Sequence, residues 1–203
     1  MRRIVMWNQV TADGYFADPD GNLDWVVQDD AFDQQVADRI EGSESELDAS
    51  TILFGRKTYE QFEAFWPHAL DPGVGDPHDP ERELPSAMRS MAVMLNEATK
   101  IVFSRTLDEV TWRNSELRSE LDPREIEELK QQPGNDMMIF GSGSIVSQLT
   151  RHGLIDEYQF VVMPVLLGSG RDLLADVPAT TRLDLQEATS YPSGKVLLRY
   201  TRL

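Results

Sequence analysis

The chain has 203 residues, and 19 lysines and arginines face 35 aspartates and glutamates, which gives a formal net charge of −16 at pH 7. This charge repels nucleic acid and anionic membranes, so both are excluded as general partners, and a local basic pocket for a small phosphate stays open. The absence of cysteine excludes disulfides, thiolate catalysis and cysteine-ligated metals. Neither a signal peptide nor a membrane span is predicted, so we expect a cytoplasmic protein.

Five short apolar runs predict the strands of a mostly parallel sheet. Runs of about this length that end in glycine or serine are typical of strands buried on both faces. They lie at residues 4–7, 51–54, 100–103, 137–140 and 158–163. Helical patterns lie between the runs, at about residues 30–46, 57–65, 85–97, 123–131 and 144–151. The alternation predicts an α/β fold in which helices cross between parallel strands and flank the sheet.

The end of the chain predicts a different kind of pairing. Residues 183–188 and 195–200 flank a turn that contains proline and glycine, which indicates an antiparallel hairpin at one edge of the sheet. Residues 67–85 and the polar residues 113–134 are interpreted as surface excursions. Because no linker divides the chain, we predict a single domain over residues 1–203.

Small and polar residues follow each predicted strand. Ligands of open parallel sheets bind beyond the carboxyl ends of the strands, so we expect these residues to line one common edge. After the first two runs they are Asn8, Thr11, Asp13, Gly55, Arg56, Lys57 and Thr58. After the later runs they are Ser104, Arg105, Gly141, Ser142, Gly143, Ser144, Gly168 and Gly170.

The segment around Gly141 and Gly143 has the pattern of a strand, a tight turn and a helix start. Its glycines let a ligand approach the backbone, and the first N–H groups of a helix favour an anion such as a pyrophosphate. The third glycine of a dinucleotide fingerprint is missing, because Ile145 and Val146 follow. A plain strand-to-helix connection is the alternative interpretation.

Arg56, Lys57 and Arg105 indicate a site for phosphate. Helix starts prefer anions, so the two cations at 56 and 57 are electrostatically out of place unless something negative binds there. Arg56 and Arg105 are candidates for the 2′-phosphate that distinguishes NADPH from NADH. The alternative is that both arginines pair with surface carboxylates.

Asp13 is the candidate to orient the substrate or relay a proton, and Glu60 is a second candidate. An Asp-Gly pair is also an ordinary turn former, so a structural role for Asp13 stays open. Trp25 and Trp66 offer flat faces for a planar ring. The histidines at 68, 78 and 152 have no metal-binding spacing, so no metal is expected.

Several motifs in this order resemble those of dihydrofolate reductase-like proteins. They are Asp-Gly at 13–14, Leu-Asp-Trp at 23–25, Gly-Arg-Lys-Thr-Tyr at 55–59, Phe-Ser-Arg at 103–105 and Phe-Gly-Ser-Gly at 140–143. Leu-Ile-Asp-Glu at 154–157 and Pro-Val-Leu-Leu-Gly-Ser-Gly at 164–170 are more similar to the RibD C-terminal domain family of riboflavin-biosynthesis reductases. The resemblance covers nearly the whole chain.

The resemblance implies a dihydrofolate reductase-like fold, NADPH as hydride donor and a homodimer. It implies that Asp13, Trp25 and Trp66 contact the substrate, and Asn8 is a further candidate from its position after the first strand. The implied cofactor-binding residues are Gly55, Arg56, Thr58, Ser104, Arg105, Gly141, Ser142, Gly143, Ser144, Gly168 and Gly170. Thr11, Lys57 and Ile145 are added to them from their positions beside these motifs.

Two departures from the riboflavin enzymes bear on the substrate. Tyr15 stands where those enzymes usually carry a basic residue, and residues 58–62 lack their Asp-Asp-Pro segment. One hypothesis is reduction of the ribosyl chain of a riboflavin precursor, and a second is reduction of a pterin-like or other small planar substrate. A protein that binds nicotinamide nucleotides without catalysis is the third.

Overall fold

The computed structural model describes residues 1–41, 49–76, 79–175, 177 and 180–203. The helices are α1 (Asp30–Glu41), α2 (Arg56–Glu63), α3 (Ser86–Glu97), α4 (Pro123–Gln131) and α5 (Gly143–Arg151), with a short 3-10 turn at Trp66–His68. The first six strands are β1 (Ile4–Thr11), β2 (Tyr15–Ala17), β3 (Ala49–Gly55), β4 (Gly75–Asp76), β5 (Asp79–Glu83) and β6 (Thr99–Phe103). The others are β7 (Ser115–Arg118), β8 (Asp136–Phe140), β9 (Glu157–Met163), β10 (Arg171–Asp172), β11 (Leu183–Ser190) and β12 (Val196–Arg202).

Eight strands form the central sheet in the order β11-β12-β9-β1-β8-β3-β6-β7. The six strands from β9 to β7 in this order are parallel. At one edge β12 pairs antiparallel with β9, and β11 pairs antiparallel with β12 to complete a hairpin. This confirms the predicted mostly parallel sheet with a C-terminal hairpin. The carboxyl ends of β1, β3, β6, β8 and β9 therefore share one edge, as expected from the motifs that follow them.

Helices cover both faces of the sheet, and the strands alternate between two cores. Ile52 packs with α1, α2 and α3, whereas its neighbour Leu53 packs with α4 and α5, and both side chains are fully buried. Met138 and Ile139 alternate in the same way in β8. Burial on both faces explains why these strands read as continuous apolar runs.

The interpretation of residues 113–134 as a surface excursion was wrong in one part. Ser115–Arg118 forms β7, which pairs with β6 as the last parallel strand of the sheet. Only Leu117 of its four residues is apolar, because an edge strand needs little apolar surface and is protected from further pairing by charged side chains.

The helices α2 to α5 confirm the predicted helical patterns to within one residue at most ends. For the first helix the structure describes Asp30–Glu41, and the remainder of the predicted range 30–46 lies outside the described residues. Within the described part of the chain, no helix is long and apolar enough to cross a membrane.

Candidate active site

A cavity of about 920 Å³ opens at the carboxyl edge of the sheet. The pairing of Trp7 with Phe140 and of Gly55 with Phe103 aligns the ends of four adjacent strands there. The residues predicted to follow these strands and found in the cavity lining are Asn8, Gly55, Arg56, Lys57, Thr58, Ser104, Arg105, Gly141, Ser142, Gly143 and Ser144. The topology thus brings together most of the residues proposed from sequence.

Two loops at this edge are joined by a pair of hydrogen bonds, which we call the loop latch. The Gly55 backbone N–H donates to the Ser142 Oγ at 3.0 Å, and the Ser142 backbone N–H donates to the Thr58 Oγ1 at 3.0 Å. Both bonds are buried. The loop latch therefore fixes the start of α2 beside the start of α5.

The starts of α2 and α5 have the electrostatics of an anion site. Their N-cap residues, Gly55 and Ser142, give no side-chain cap, and neither helix has an acidic residue in its first turn. Among the described residues, no acceptor faces the backbone N–H groups of Gly143 and Ser144. Unsatisfied N–H groups and the positive end of the helix dipole both favour an anionic ligand such as a pyrophosphate.

The small residues of the Gly141–Gly143 turn make room for the chain itself. A Cβ at Gly141 would lie 3.1 Å from the Thr58 side chain, and one at Gly143 would lie 2.9 Å from the Phe16 ring. Gly141 and Ser142 both have φ of 55°, which is the left-handed region. Close packing against Thr58 and Phe16 thus requires glycine at both positions, which supports the alternative interpretation as a tight strand-to-helix connection, and ligand approach stays a prediction.

The three cations of the site that were predicted from the sequence differ in their partners. Arg56 forms an ion pair with Glu60 at 3.0 Å, and both side chains are about 40% exposed. Lys57 and Arg105 are exposed, and neither forms an ion pair with any residue that the structure describes. Lys57 and Arg105 are therefore both available to a phosphate group, and of the two predicted arginines Arg105 is the one that forms no ion pair with the described residues.

Aromatic side chains form the apolar side of the cavity. Trp66, predicted from the sequence, lies at its wall but is only 8% exposed and packs against Phe62 and Phe65. Trp25 does not line the cavity; it packs against the core, and its Nε1 donates to the Asn22 carbonyl at 3.3 Å. The position of Trp25 thus does not support the predicted substrate contact.

The sequence analysis missed several lining residues. Among them are Trp7, Phe16, Phe32, Asp33, Met88, Met91, Phe140, Arg171 and Lys195. The apolar members belong to patterns that indicate a buried core, and nothing in the sequence separates a core face from a cavity wall. The position of Lys195 depends on how the hairpin docks, which the sequence does not show.

Asp13 lies beside the cavity rather than in its lining. Its carboxylate accepts hydrogen bonds from the Thr11 hydroxyl at 2.6 Å and from the backbone N–H groups of Leu167 at 3.1 Å and Gly168 at 2.7 Å. The hydrogen bond from Thr11, and then that from Gly168, lower the pKa of this carboxyl. A carboxylate with a lowered pKa is ionised at neutral pH and holds no proton to donate, so the geometry favours a loop-holding role.

The remaining predicted site residues also lie outside the lining. Glu60 pairs with Arg56, and a Cβ at Gly170 would lie 2.8 Å from the Tyr15 ring, so Gly170 is required by packing. The others are Thr11, Ile145 and Gly168. A direct ligand contact by any of them stays a prediction.

A pair of substitutions separates the two roles of Asp13. Asp13→Asn can keep an acceptor for Gly168 and a donor for Thr11, so we expect it to retain most of the activity. Asp13→Ala removes every one of these bonds and is expected to lower activity several-fold through the loop. Steady-state kinetics of both variants provide the measurement, and equal, near-complete losses would instead indicate a proton relay.

The end of the cavity away from the glycine turn carries charged groups. Lys195 is buried, and its Nζ lies 4.5 Å from the centre of the Phe32 ring. Burial lowers the pKa of Lys195, and the charges of Asp33 and Asp29 raise it. Asp29 caps α1 by accepting from the Phe32 N–H at 3.0 Å and ties it to the hairpin turn by accepting from the Ser193 N–H at 2.9 Å.

Asp29 is expected to make stability depend on pH. Burial raises the pKa of its carboxyl, but hydrogen bonds from Ser193 and Phe32 outweigh burial and lower the pKa from 3.8 to about 2. The stabilisation is thus present above pH 3.8 and is lost as the pH falls toward 2. Asp29→Ala should cost about 1–2 kcal/mol at neutral pH, whereas Asp29→Asn keeps the cap and costs less.

Thermal unfolding of these variants between neutral and acidic pH provides the measurement. Both substitutions should flatten the acid limb of the stability curve. An acid limb in Asp29→Asn as steep as in the unchanged protein would contradict the assignment.

The described residues contain no group of three histidines, aspartates or glutamates placed to hold a metal ion. His68 pairs with Asp71 at 3.0 Å at the surface. His78 lies outside the described residues.

The sequence profile of the RibD C-terminal domain matches residues 2–197. The chain belongs to the RibD C-terminal domain family. This confirms the resemblance identified from the motifs. The chain is similar in sequence to the uncharacterized protein YyaP of Bacillus subtilis strain 168. The two are 30% identical over 199 residues, which cover 98% of this chain and 94% of YyaP.

Solved structures confirm the RibD-type fold. A protein of Shewanella sp. PV-4 named for riboflavin biosynthesis has a TM-score of 0.70 at 20% identity, covering 100% of this chain and 99% of that chain. A diaminohydroxyphosphoribosylaminopyrimidine deaminase/5-amino-6-(5-phosphoribosylamino)uracil reductase of Thermotoga maritima has a TM-score of 0.59 at 15% identity. That match covers 100% of the present chain and 57% of the Thermotoga protein.

Proposed function

We propose that this protein is an NADPH-dependent reductase of a small planar substrate. The observation that carries the proposal is the convergence of the β3, β6 and β8 ends on one cavity, with two helix starts that lack side-chain caps and with Arg105, which forms no ion pair with the residues that the structure describes. Membership of the RibD C-terminal domain family supports a riboflavin-pathway type of reductase. The Thermotoga maritima structure, which is named as a reductase, has the same fold and also supports a reductase function.

The residues present fit a dinucleotide with a phosphate monoester. The N–H groups of Gly143 and Ser144 would bind the pyrophosphate, while Arg105, together with Arg56, would bind the 2′-phosphate. When bound, NADPH supplies the hydride. The protein's part is then to place the acceptor against the nicotinamide and to exclude water with the aromatic wall that includes Trp7 and Phe140.

Two substrate classes are proposed, and a specific observation favours each. Family membership favours the ribosylamino pyrimidine of riboflavin synthesis. Tyr15, which replaces the basic residue of the riboflavin enzymes, packs against Gly170 and does not line the cavity, so it offers no charge to a substrate phosphate. This favours the pterin-like or other planar substrate without a phosphosugar.

Turnover of NADPH with both substrate classes tests the proposal. We expect loss of reduced-nicotinamide absorbance with one class and tight NADPH binding in the absence of substrate. Binding of NADPH without turnover on any member of the panel would instead indicate a nucleotide-binding protein that is not a catalyst. Absence of NADPH binding would refute the cofactor site. The predicted homodimer is tested separately by light scattering.

A further inference from the structure

Lys195 is a buried lysine of the cavity lining whose ammonium has no oxygen partner among the described residues. Its side chain is 2% exposed, it lines the cavity, and its Nζ lies over the Phe32 ring. Within the described ranges of the chain, no oxygen accepts a hydrogen bond from this Nζ. An ammonium has three N–H donors, and one aromatic face satisfies only part of them. A buried charge with open donors is costly, so a ligand oxygen in the cavity would be stabilising.

The charges around Lys195 select the kind of oxygen. Asp33 also lines the cavity, and Asp29 caps the helix that carries Asp33. The carboxylates of Asp33 and Asp29 act on the Lys195 ammonium and would repel a phosphate or carboxylate ligand placed beside it. A neutral carbonyl oxygen has no such penalty. The Asp33 carboxylate has lone pairs that can accept an N–H beside that carbonyl.

The strand register places Lys195 in the half of the cavity that the cofactor loops leave open. Lys195 directly precedes Val196, which pairs with Val162 of β9, and Val162 pairs with Val10 of β1. β12 is thus three strands from β8, or roughly 14 Å at the usual spacing of neighbouring strands. Trp7 lies on β1, between β12 and β8, and stacks with Phe32 with the ring centres 6.4 Å apart. The two rings form an apolar wall of the half of the cavity that contains Lys195.

We propose that Lys195 is a substrate-recognition residue that donates a hydrogen bond to the carbonyl oxygen of a neutral, planar amide edge, with Asp33 accepting the adjacent N–H. Ring lactams, such as those of pyrimidinones and oxopteridines, present this edge. The inference rests on the proposed function, because it takes this cavity as the place where the hydride acceptor binds. The inference adds Lys195 as a residue that binds the substrate and adds a preference for a neutral ligand at this end of the cavity, whereas the cofactor site binds phosphate groups.

The test compares ligands that differ at this edge. Lumazine is a pteridine with two ring carbonyls, and in diaminopteridine amino groups replace both of them. Calorimetric titration of the full chain, with and without NADPH, is expected to show lumazine binding roughly tenfold or more tighter than diaminopteridine and inorganic phosphate. Lys195→Met should remove this preference, and Lys195→Arg should keep part of it. Arg124→Met, which removes an exposed cation on the far face, should leave it unchanged.

Each outcome decides the proposal. Equal binding of the two pteridines, phosphate binding tighter than lumazine binding while NADPH fills the cofactor site, or no lumazine binding by the unchanged protein would overturn it. Full lumazine preference in a folded Lys195→Met variant would overturn it as well. If Lys195→Met does not fold, the ligand pair on the unchanged protein and on Lys195→Arg still decides. The NADPH titration is read independently, so failure of the cofactor site is distinguished from failure at Lys195.

Discussion

Replacing Arg105 with alanine is expected to weaken NADPH binding about tenfold and to leave NADH binding nearly unchanged. Arg105 follows β6, whose last residue Phe103 pairs with Gly55 at the end of β3, so it lies one strand spacing from the start of α2. It has no ion-pair partner in the described part of the chain, and its guanidinium can bind a phosphate without first breaking a contact. Because NADH lacks the 2′-phosphate, its affinity should not change when Arg105 is removed.

Arg56→Ala should also weaken NADPH binding more than NADH binding, but by less than Arg105→Ala. Arg56 is already held by Glu60 at 3.0 Å, and the exposed pair is worth little, so part of the gain on binding phosphate is offset by the lost partner. Glu60→Gln is the matched control: it frees Arg56 and removes a nearby negative charge, and NADPH should bind a few-fold more tightly.

Fluorescence titration with the two nucleotides measures these effects on all three variants. Equal losses for NADPH and NADH in Arg105→Ala would mean that the arginine acts on the loop rather than on the 2′-phosphate. No loss for either nucleotide would place the phosphate elsewhere in the cavity.

The fold could be predicted because strands that are buried on both faces consist of continuous apolar residues, which are recognisable in the sequence. Residues 52 and 53 point to opposite cores, and both must be apolar, so the central strands are visible as runs. β7 has no such apolar run, because its serine, glutamate and arginine lie at a half-exposed edge of the sheet. Strand order is also absent from a single sequence, because β1 pairs with β8 and β9 across more than a hundred residues.

The candidate site was predicted where it depends on strand ends and missed where it depends on docking. Gly55, Arg105 and Ser142 could be placed together because the carboxyl ends of parallel strands share an edge. Lys195 could not, because it enters the site through the packing of the hairpin turn on α1. Asp13 has the same sequence context in a turn as in a catalytic loop, and only its hydrogen bonds to Leu167 and Gly168 favour the turn.

The loop latch should be the most sensitive point of the candidate cofactor site. Ser142→Ala leaves the buried Gly55 N–H without an acceptor, and Thr58→Val does the same to the Ser142 N–H while keeping the size of the side chain. An unsatisfied buried N–H costs about 1–3 kcal/mol, and a domain of this size loses about 2–4 °C per kcal/mol, so each variant should unfold roughly 2–12 °C lower. NADPH binding should weaken further, because the starts of α2 and α5 lose their fixed spacing.

Thermal unfolding and NADPH titration of the single and double variants measure the coupling between the two bonds. Once one bond is broken the loops separate, so the double variant should lose less than the sum of the single losses. Thr58→Ser keeps the hydroxyl and should retain both stability and NADPH affinity. Strictly additive losses, with NADPH affinity unchanged, would show that the hydroxyls of Ser142 and Thr58 stabilise their own loops and do not set the distance between the two helix starts on which the pyrophosphate site depends.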